Sequence, residues 1–322
     1  MSKTNINTFS ELYELAQTHI EVFDLGRQLQ HIDSDDLYKI EVGELPYPYP
    51  FKESAHIAII TWHPDHPERH SIWMFKWALD ERNMVQISAQ QNCLERVIKS
   101  LAVKDEDERR RLLQDHPFHF KPNEIMQSCF HAKASIILNQ PVSKFYESSK
   151  QYYLSESQNN WQEIGIQGVG ELVWRLQDSD KKHIVKHFND YAKPAQLCLL
   201  ACLEHSNDDP IFSQQLIKQV QLDEFELFSH LIRAVSKTAN DPVVKNWLHL
   251  LVNEHTELHI ECLLAIATRA YLALEDDIVM INLFHKLAQI SNIKTIDIIA
   301  KDLTRFEPLR KHVIKALRVP IN

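Results

Sequence analysis

Glycine is scarce in this chain: five residues in 322. Phosphate-cradling loops and tight strand-to-helix turns rely on glycine for close backbone approach and positive φ, so such loops are not expected. Three of the five, Gly165, Gly168 and Gly170, fall together in IGIQGVGEL. Their order, G-x-x-G-x-G, reverses the dinucleotide fingerprint, and no clear strand precedes it. Close packing or a bend between helices is the expectation there. Also missing are G-x-S-x-G, a P-loop, H-E-x-x-H and C-x-x-C. No nucleophile with a recognisable base is left, and no cofactor is called for. Apolar runs approaching the roughly 20 residues of a membrane span are absent, and the opening MSKTNINTFSELYE lacks the apolar stretch of a signal peptide. The cysteines, Cys93, Cys129, Cys198, Cys202 and Cys262, are odd in number and sit in helical contexts. Cys198 and Cys202 share a helix face inside the apolar run LCLLACL, which predicts core packing and not metal binding. These absences suit an ordered, cytoplasmic protein. The net charge of −9 argues against general affinity for nucleic acid or an anionic membrane.

What is present begins with residues 46–79, PYPYPFKESAHIAIITWHPDHPERHSIWMFKWAL. Alternating Pro and Tyr favour an extended entry. Two β-like runs follow, Ile57 to Trp62 and Ser71 to Leu79, joined by the polar connector His63 to His70. Trp73, Phe75, Trp77 and Leu79 alternate with Ile72, Met74, Lys76 and Ala78. Both sets are apolar apart from Lys76, which predicts a central strand covered on both faces. Upstream, residues 8–17 read as a short amphipathic helix with Thr8 or Ser10 as its N-cap, His19 to Leu25 and Arg27 to Ile32 as strands, and Asp33-Ser34-Asp35-Asp36 as the cap of a helix through Leu37 to Ile40. Downstream, Met84 to Ile87 reads as a last strand and Ser88 as an N-cap. Leu94, Val97, Ile98 and Leu101 form a helical stripe. His116 and His119 flank a helix-breaking turn, and SESQNN at 155–160 reads as a linker or surface turn.

From Trp161 onward every segment reads as helix. Asp208-Asp209-Pro210 and Asn240-Asp241-Pro242 recur 32 residues apart, Glu275-Asp276-Asp277 about 35 further on, and Pro308 about 31 beyond that. Each opens a helical pattern, as acidic residues and Pro do at a first turn. The period suits HEAT-like stacked hairpins. The expected fold is therefore an α+β N-terminal domain with a small antiparallel sheet (1–103), connecting helices (104–160) and an all-α helical-repeat domain (161–322), mostly α overall.

Two groups could carry function. The connector holds His63, His66 and His70, enough imidazoles for zinc. Pro64 and Pro67 place them on a hairpin loop, where catalytic ligands are seldom held, so no metal is expected. The second group follows from uneven charge. Residues 204–277 carry 13 acids and five bases, whereas 294–318 carry seven bases and three acids. Arg310, Lys311, Lys315 and Arg318 surround a stripe of Leu309, Val313 or Ile314, and Leu317. Lys311, Lys315 and Arg318 fall at i, i+4 and i+7, a face expected to be exposed and unpaired and a candidate for binding an acidic protein partner.

The segments FDLGRQLQ (23–30), PYPYP (46–50), IWMFKW (72–77), FKP (120–122) and FHAKAS (130–135) resemble an uncharacterised gammaproteobacterial family of unknown function. The resemblance spans nearly the whole chain and is most specific in the first 140 residues. It implies a bacterial cytosolic protein and supplies no activity or catalytic residue. The favoured expectation is a protein–protein interaction or scaffold protein using a helical-repeat surface. The alternatives are an enzyme or ligand-binding module at the His-rich connector, and a nucleic-acid-associated factor using the basic C-terminus.

Overall fold

The computed structural model describes residues 6–114, 117–155 and 160–320. His116 and residues 156–159 of the expected linker lie outside them. The chain gathers into two compact units, Met1–Asn123 and Glu124–Asn322. Their boundary falls inside the stretch read as connecting helices, so 104–123 belongs to the first unit and 124–160 to the second.

The first unit is α+β. Helix α1 (Phe9–Leu15) starts where the Thr8 side chain accepts from the Glu11 N–H. Strands β1 (His19–Asp24) and β2 (Gln30–Ile32) follow, and Asp33 caps α2 (Ser34–Glu41). Gly43, at φ 76°, ends that helix in the left-handed region that suits glycine. β3 (Ser54–His63) and β4 (His66–Ala78) form a long hairpin, then α3 (Ile87–Ala102) and α4 (Glu106–Gln114). The sheet is antiparallel in the order β2-β1-β3-β4.

β4 is thus an edge strand and not the central one. Its two apolar faces mislead because part of its free edge is covered by the chain itself. The Lys76 N–H donates to the Phe118 carbonyl at 2.7 Å, and Gln86 N–H donates to the Ala78 carbonyl at 3.0 Å. The expected strand at Met84 to Ile87 reduces to one bridge, Leu79 with Val85, because α3 already begins at Ile87. Its N-cap position is Gln86 rather than Ser88. The strand read over Arg27 to Ile32 shortens to its last three residues, since Arg27 is drawn into a buried turn. On the helix-covered face Trp73, Phe75 and Trp77 stack at ring separations of 6.2 and 6.0 Å. Phe9 of α1 lies 4.6 Å from Phe75 and 5.6 Å from Trp77. Phe75 and Trp77 are buried and Trp73 half-buried, so this row is core and not a stacking platform for bases.

The second unit is all helix among its described residues. Its elements are α5 (Glu124–Ile137), α6 (Tyr146–Leu154), α7 (Ile166–Val173), α8 (Asp178–His187), α9 (Lys193–Ser206) and α10 (Pro210–Leu216). They continue as α11 (Phe225–Ala234), α12 (Pro242–Glu254), α13 (Ile260–Thr268), α14 (Asp277–Ile290), α15 (Ile293–Thr304) and α16 (Glu307–Ala316). Odd helices touch the next odd helix, from α5 through α15, and even helices the next even one, from α6 through α16. The glycine run does what its spacing suggests. A Cβ on Gly168 would stand 2.1 Å from the Phe145 carbonyl oxygen, and one on Gly170 would stand 3.2 Å from the Ser128 backbone. Both residues let α7 pack closely against its neighbours. Cys129, Cys202 and Cys262 are buried in the same apolar core, with Cys198 packed at its edge.

Candidate functional site

The repeated acids sit where helices begin. Pro210 and Pro242 are first-turn residues of α10 and α12. Asp209 accepts from the Ile211 and Phe212 N–H groups, Asp241 from Val243 and Val244, and Asp276 from Ile278 and Val279, all at 2.9–3.2 Å. These carboxylates satisfy N–H groups that a helix start otherwise leaves orphaned. Two of them also reach one helix over. The Lys181 ammonium meets Asp209 at 2.7 Å, and the Gln214 amide donates to Asp241 at 3.1 Å. Much of the acidic block is therefore spent on structure.

The basic face on α16 is only partly as the sequence predicts. Arg310, Lys311, Lys315 and Arg318 are all exposed. Lys315, however, is paired with Asp277 of α14, which also meets His312 Nδ1 at 2.6 Å. Lys315 first, then His312, hold the Asp277 carboxyl below its ordinary pKa. Arg310 donates through Nε to the Thr304 carbonyl at 3.1 Å. The buried stripe is Leu309, His312, Val313 and Ala316. Leu317, counted in that stripe from sequence, is exposed, as is Ile314, the alternative there to Val313. α16 is rotated so that its polar His312 faces the anionic start of α14.

The three histidines of the connector lie on strands, not on a long loop, because the β3–β4 ladder runs through to the pair His63–His66 past an irregularity at Trp62/His63. Only Pro64 and Asp65 remain as the turn. The His63 and His66 rings stand 5.5 Å apart. His66 Nδ1 turns to Glu68 at 3.1 Å, and His70 Nδ1 to the Pro67 carbonyl at 3.3 Å. The imidazoles do not converge on a point. Among the described residues no group of three or more His, Cys, Asp or Glu is arranged to hold a metal ion.

A group the sequence reading missed is a buried polar knot in the first unit. Asp24, at the end of β1, is fully buried and accepts from the Tyr47 hydroxyl at 2.6 Å and the Gly26 N–H at 3.0 Å. Burial raises its pKa to about 7. Buried Arg27 donates to the Pro50 carbonyl at 3.2 Å through Nε and 3.1 Å through a terminal nitrogen. His56 Nδ1 is buried without a hydrogen-bond partner, and burial lowers the ring pKa to about 4. Phe120 meets the His56 ring edge-on at 4.9 Å. A Cβ on Gly26 would lie 3.0 Å from Phe51 Cβ, 3.2 Å from Asp24 Oδ1 and 3.4 Å from His56 Nδ1, so a side chain there would crowd this turn. Three segments quoted above, FDLGRQLQ, PYPYP and FKP, meet here. The available signal was Asp24 itself, one carboxylate closing the apolar run Val22-Phe23.

A second polar recess, of about 600 Å³, lies in the second unit and is lined by Glu124, Gln127, Ser128, His131, Ser143 and Glu171, among others. Glu171 is buried and accepts from the Ser143 N–H at 2.9 Å. Cys129 points the other way, donating weakly to the Cys202 carbonyl at 3.8 Å, so Cys129 and His131 form no catalytic pair.

A family model described as Protein of unknown function (DUF3549) matches residues 4–322. The chain belongs to that family. No curated protein and no solved structure matches it. For this DUF3549 chain the functional argument therefore rests on its own residues. Among the described residues no helix is long and apolar enough to cross a membrane.

Proposed function

We propose that this DUF3549 protein is an interaction or scaffold protein whose second unit is a HEAT-like stack of helical hairpins. One observation carries the reading: helices touch in two alternating series, and the N-cap aspartates that open α10, α12 and α14 recur in step with it. Stacked hairpins present long surfaces to other proteins and bury their own residues in the seam between repeats. The exposed cations of α16, Arg310, Lys311 and Arg318 with Lys315 beside them, are the contact we assign to an acidic protein partner. We place the protein in the bacterial cytoplasm, acting without metal, cofactor or membrane.

The test separates the free cations from the structural one. Lys315 braces Asp277 and is left intact. The double variant Lys311→Glu with Arg318→Glu keeps its melting temperature, since exposed charge changes cost little. Partners captured from the native cell and identified by mass spectrometry should include one acidic protein that the wild type retains and the variant loses. An unchanged set of partners returns α16 to a solubilising helix. The unevenly basic end also fits a nucleic-acid factor; salt-dependent binding to mixed RNA and DNA distinguishes that reading.

A second reading, a ligand-binding or catalytic module in the first unit, draws on Asp24 rather than on the connector histidines. A fully buried carboxyl that titrates near neutrality beside an imidazole whose Nδ1 lacks a hydrogen-bond partner is the kind of group active sites use. The bland account is a structural knot that pins the PYPYP segment. A small-molecule thermal-shift screen, run on wild type and on Asp24→Asn, separates them: a knot yields no compound whose stabilisation depends on Asp24.

A further inference from the structure

The last two helices described carry a feature that the charge pattern alone does not show. α15 carries exposed Ile293 (77%) and Ile298 (58%), and α16 with its C-cap carries Ile314 (42%) and Leu317 (53%), as α12 and α14 carry two exposed aliphatics each. On α15 the row Lys294, Ile298, Lys301 runs at i, i+4, i+7; on α16 the row Arg310, Ile314, Leu317 does the same. Such rows are the ridges that a neighbouring helix packs against. α15 and α16 pack on each other, yet these residues face away from their shared core. Exposed aliphatics on a helix face invite another element to pack there. Here the aliphatics are framed by exposed Lys294, Lys301, Arg310, Lys311, Lys315 and Arg318, against exposed Asp297 and Glu307.

We infer that the exposed faces of α15 and α16 together form a docking surface for an acidic amphipathic helix of another protein. This inference rests on the interaction reading above and specifies the partner's chemistry and mode of binding. Ile314 and Leu317, at i and i+3, with Ile298 between two lysines of α15, suit a helix as the complementary surface. The surrounding cations require that helix to be acidic. They also disfavour a second copy docking by the same face, since its cations would then meet these. A phosphate backbone would engage the cations but leave Ile298, Ile314 and Leu317 in water.

The test uses the full-length chain and a displayed library of short helical peptides. Binders are compared on wild type, on the double variant Ile298→Asp with Leu317→Asp, and on Ile211→Asp, an equally exposed aliphatic elsewhere (67%). The expected binders are rich in Glu and Asp, carry Leu or Ile at i, i+3 or i+4, and weaken as salt is added. Their Kd should rise about tenfold or more on the double variant, because buried leucine and isoleucine contacts are lost, and stay unchanged on Ile211→Asp. Circular dichroism checks folding; should the aspartates disturb it, Ile298→Ser with Leu317→Ser replaces them. Absence of peptides sensitive to the double variant overturns the inference. So do sensitive peptides that are basic or neutral. Self-association on sedimentation that the double variant abolishes would assign the face to a second copy. Cosedimentation with phosphatidylserine vesicles that it abolishes would assign it to a lipid surface. Both also overturn the inference. If Lys311→Glu with Arg318→Glu loses the native partner while the aliphatic variant keeps it, the interaction reading stands and helix docking falls.

Discussion

Carboxylates that tie the first unit together differ from the repeated ones that open helices in the second. In the first, Glu41 is buried and accepts from the Phe9 N–H at 2.6 Å, the Ser10 N–H at 3.0 Å, the Ser10 hydroxyl at 2.7 Å and the Gln90 amide at 2.9 Å. One side chain thus ties α1, α2 and α3 together across 32 and 49 residues of sequence. Asp24 does the same for β1 and the PYPYP segment. In the second unit Asp209, Asp241 and Asp276 stay half-exposed and bond the backbone two and three residues ahead. The first unit concentrates its polar interactions in a few non-local knots. The second has buried carboxylates with non-local partners too, such as Glu204 with Arg269, but adds a series of small, local caps. Damage at a knot should therefore cost more than damage at a cap.

The largest effect should come from the first unit's apolar counterpart to those knots. Trp77→Ala empties a fully buried site under Phe9 and should lower unfolding free energy by about 3–5 kcal/mol in denaturant titration. Glu41→Ala strands buried N–H donors from two other helices and should cost about 2–3 kcal/mol by the same measurement. Asp241→Ala, the matching change in the second unit, should cost about 1 kcal/mol, the ordinary worth of a cap. If Asp241→Ala proves as damaging as Glu41→Ala, the contrast between knots and caps is wrong.

The subtlest way to sharpen the comparison is pH. Asp24 has a folded pKa raised from 3.8 to about 7, so the folded chain holds a proton that the unfolded chain has released. Its contribution is fully present below the unfolded pKa and is lost as pH rises through about 7. His56 works the other way. Its folded pKa is lowered from 6.5 to about 4, so its contribution is present above the unfolded value and is lost as pH falls. The two partly cancel between about 4 and 6.5. Denaturant titrations across that range should show the advantage of wild type over Asp24→Asn shrinking as pH rises toward 7. A constant difference would mean that Asp24 is not protonated in the folded chain. In the second unit burial lowers the His205 pKa to about 4, with neighbouring Glu204 opposing part of the shift. His205→Gln should therefore remove part of the acid sensitivity.

Local signals decided much of this protein. Apolar spacing marked the helices, the acidic segments that hold Asp33, Asp209, Asp241 and Asp276 marked starts, and Pro210 and Pro242 first turns, because capping and helix periodicity act over a few residues of chain. The glycine run was legible for the same reason: too little side chain can mean only approach or turn, and Gly168 lies against Phe145. Tertiary structure alone decided the rest. β4 reads as central yet is an edge, because strand order depends on β1 and on a carbonyl at Phe118, 42 residues beyond Lys76. Asp24 reads as one stray acid, and becomes a group titrating near 7 only when Tyr47 and a cover of buried side chains close over it. On α16 the composition is readable, but which face is buried is set by Asp277, which draws in His312 and leaves Ile314 and Leu317 outside. A helix's own sequence fixes its period, whereas its rotation is chosen by the neighbours it meets.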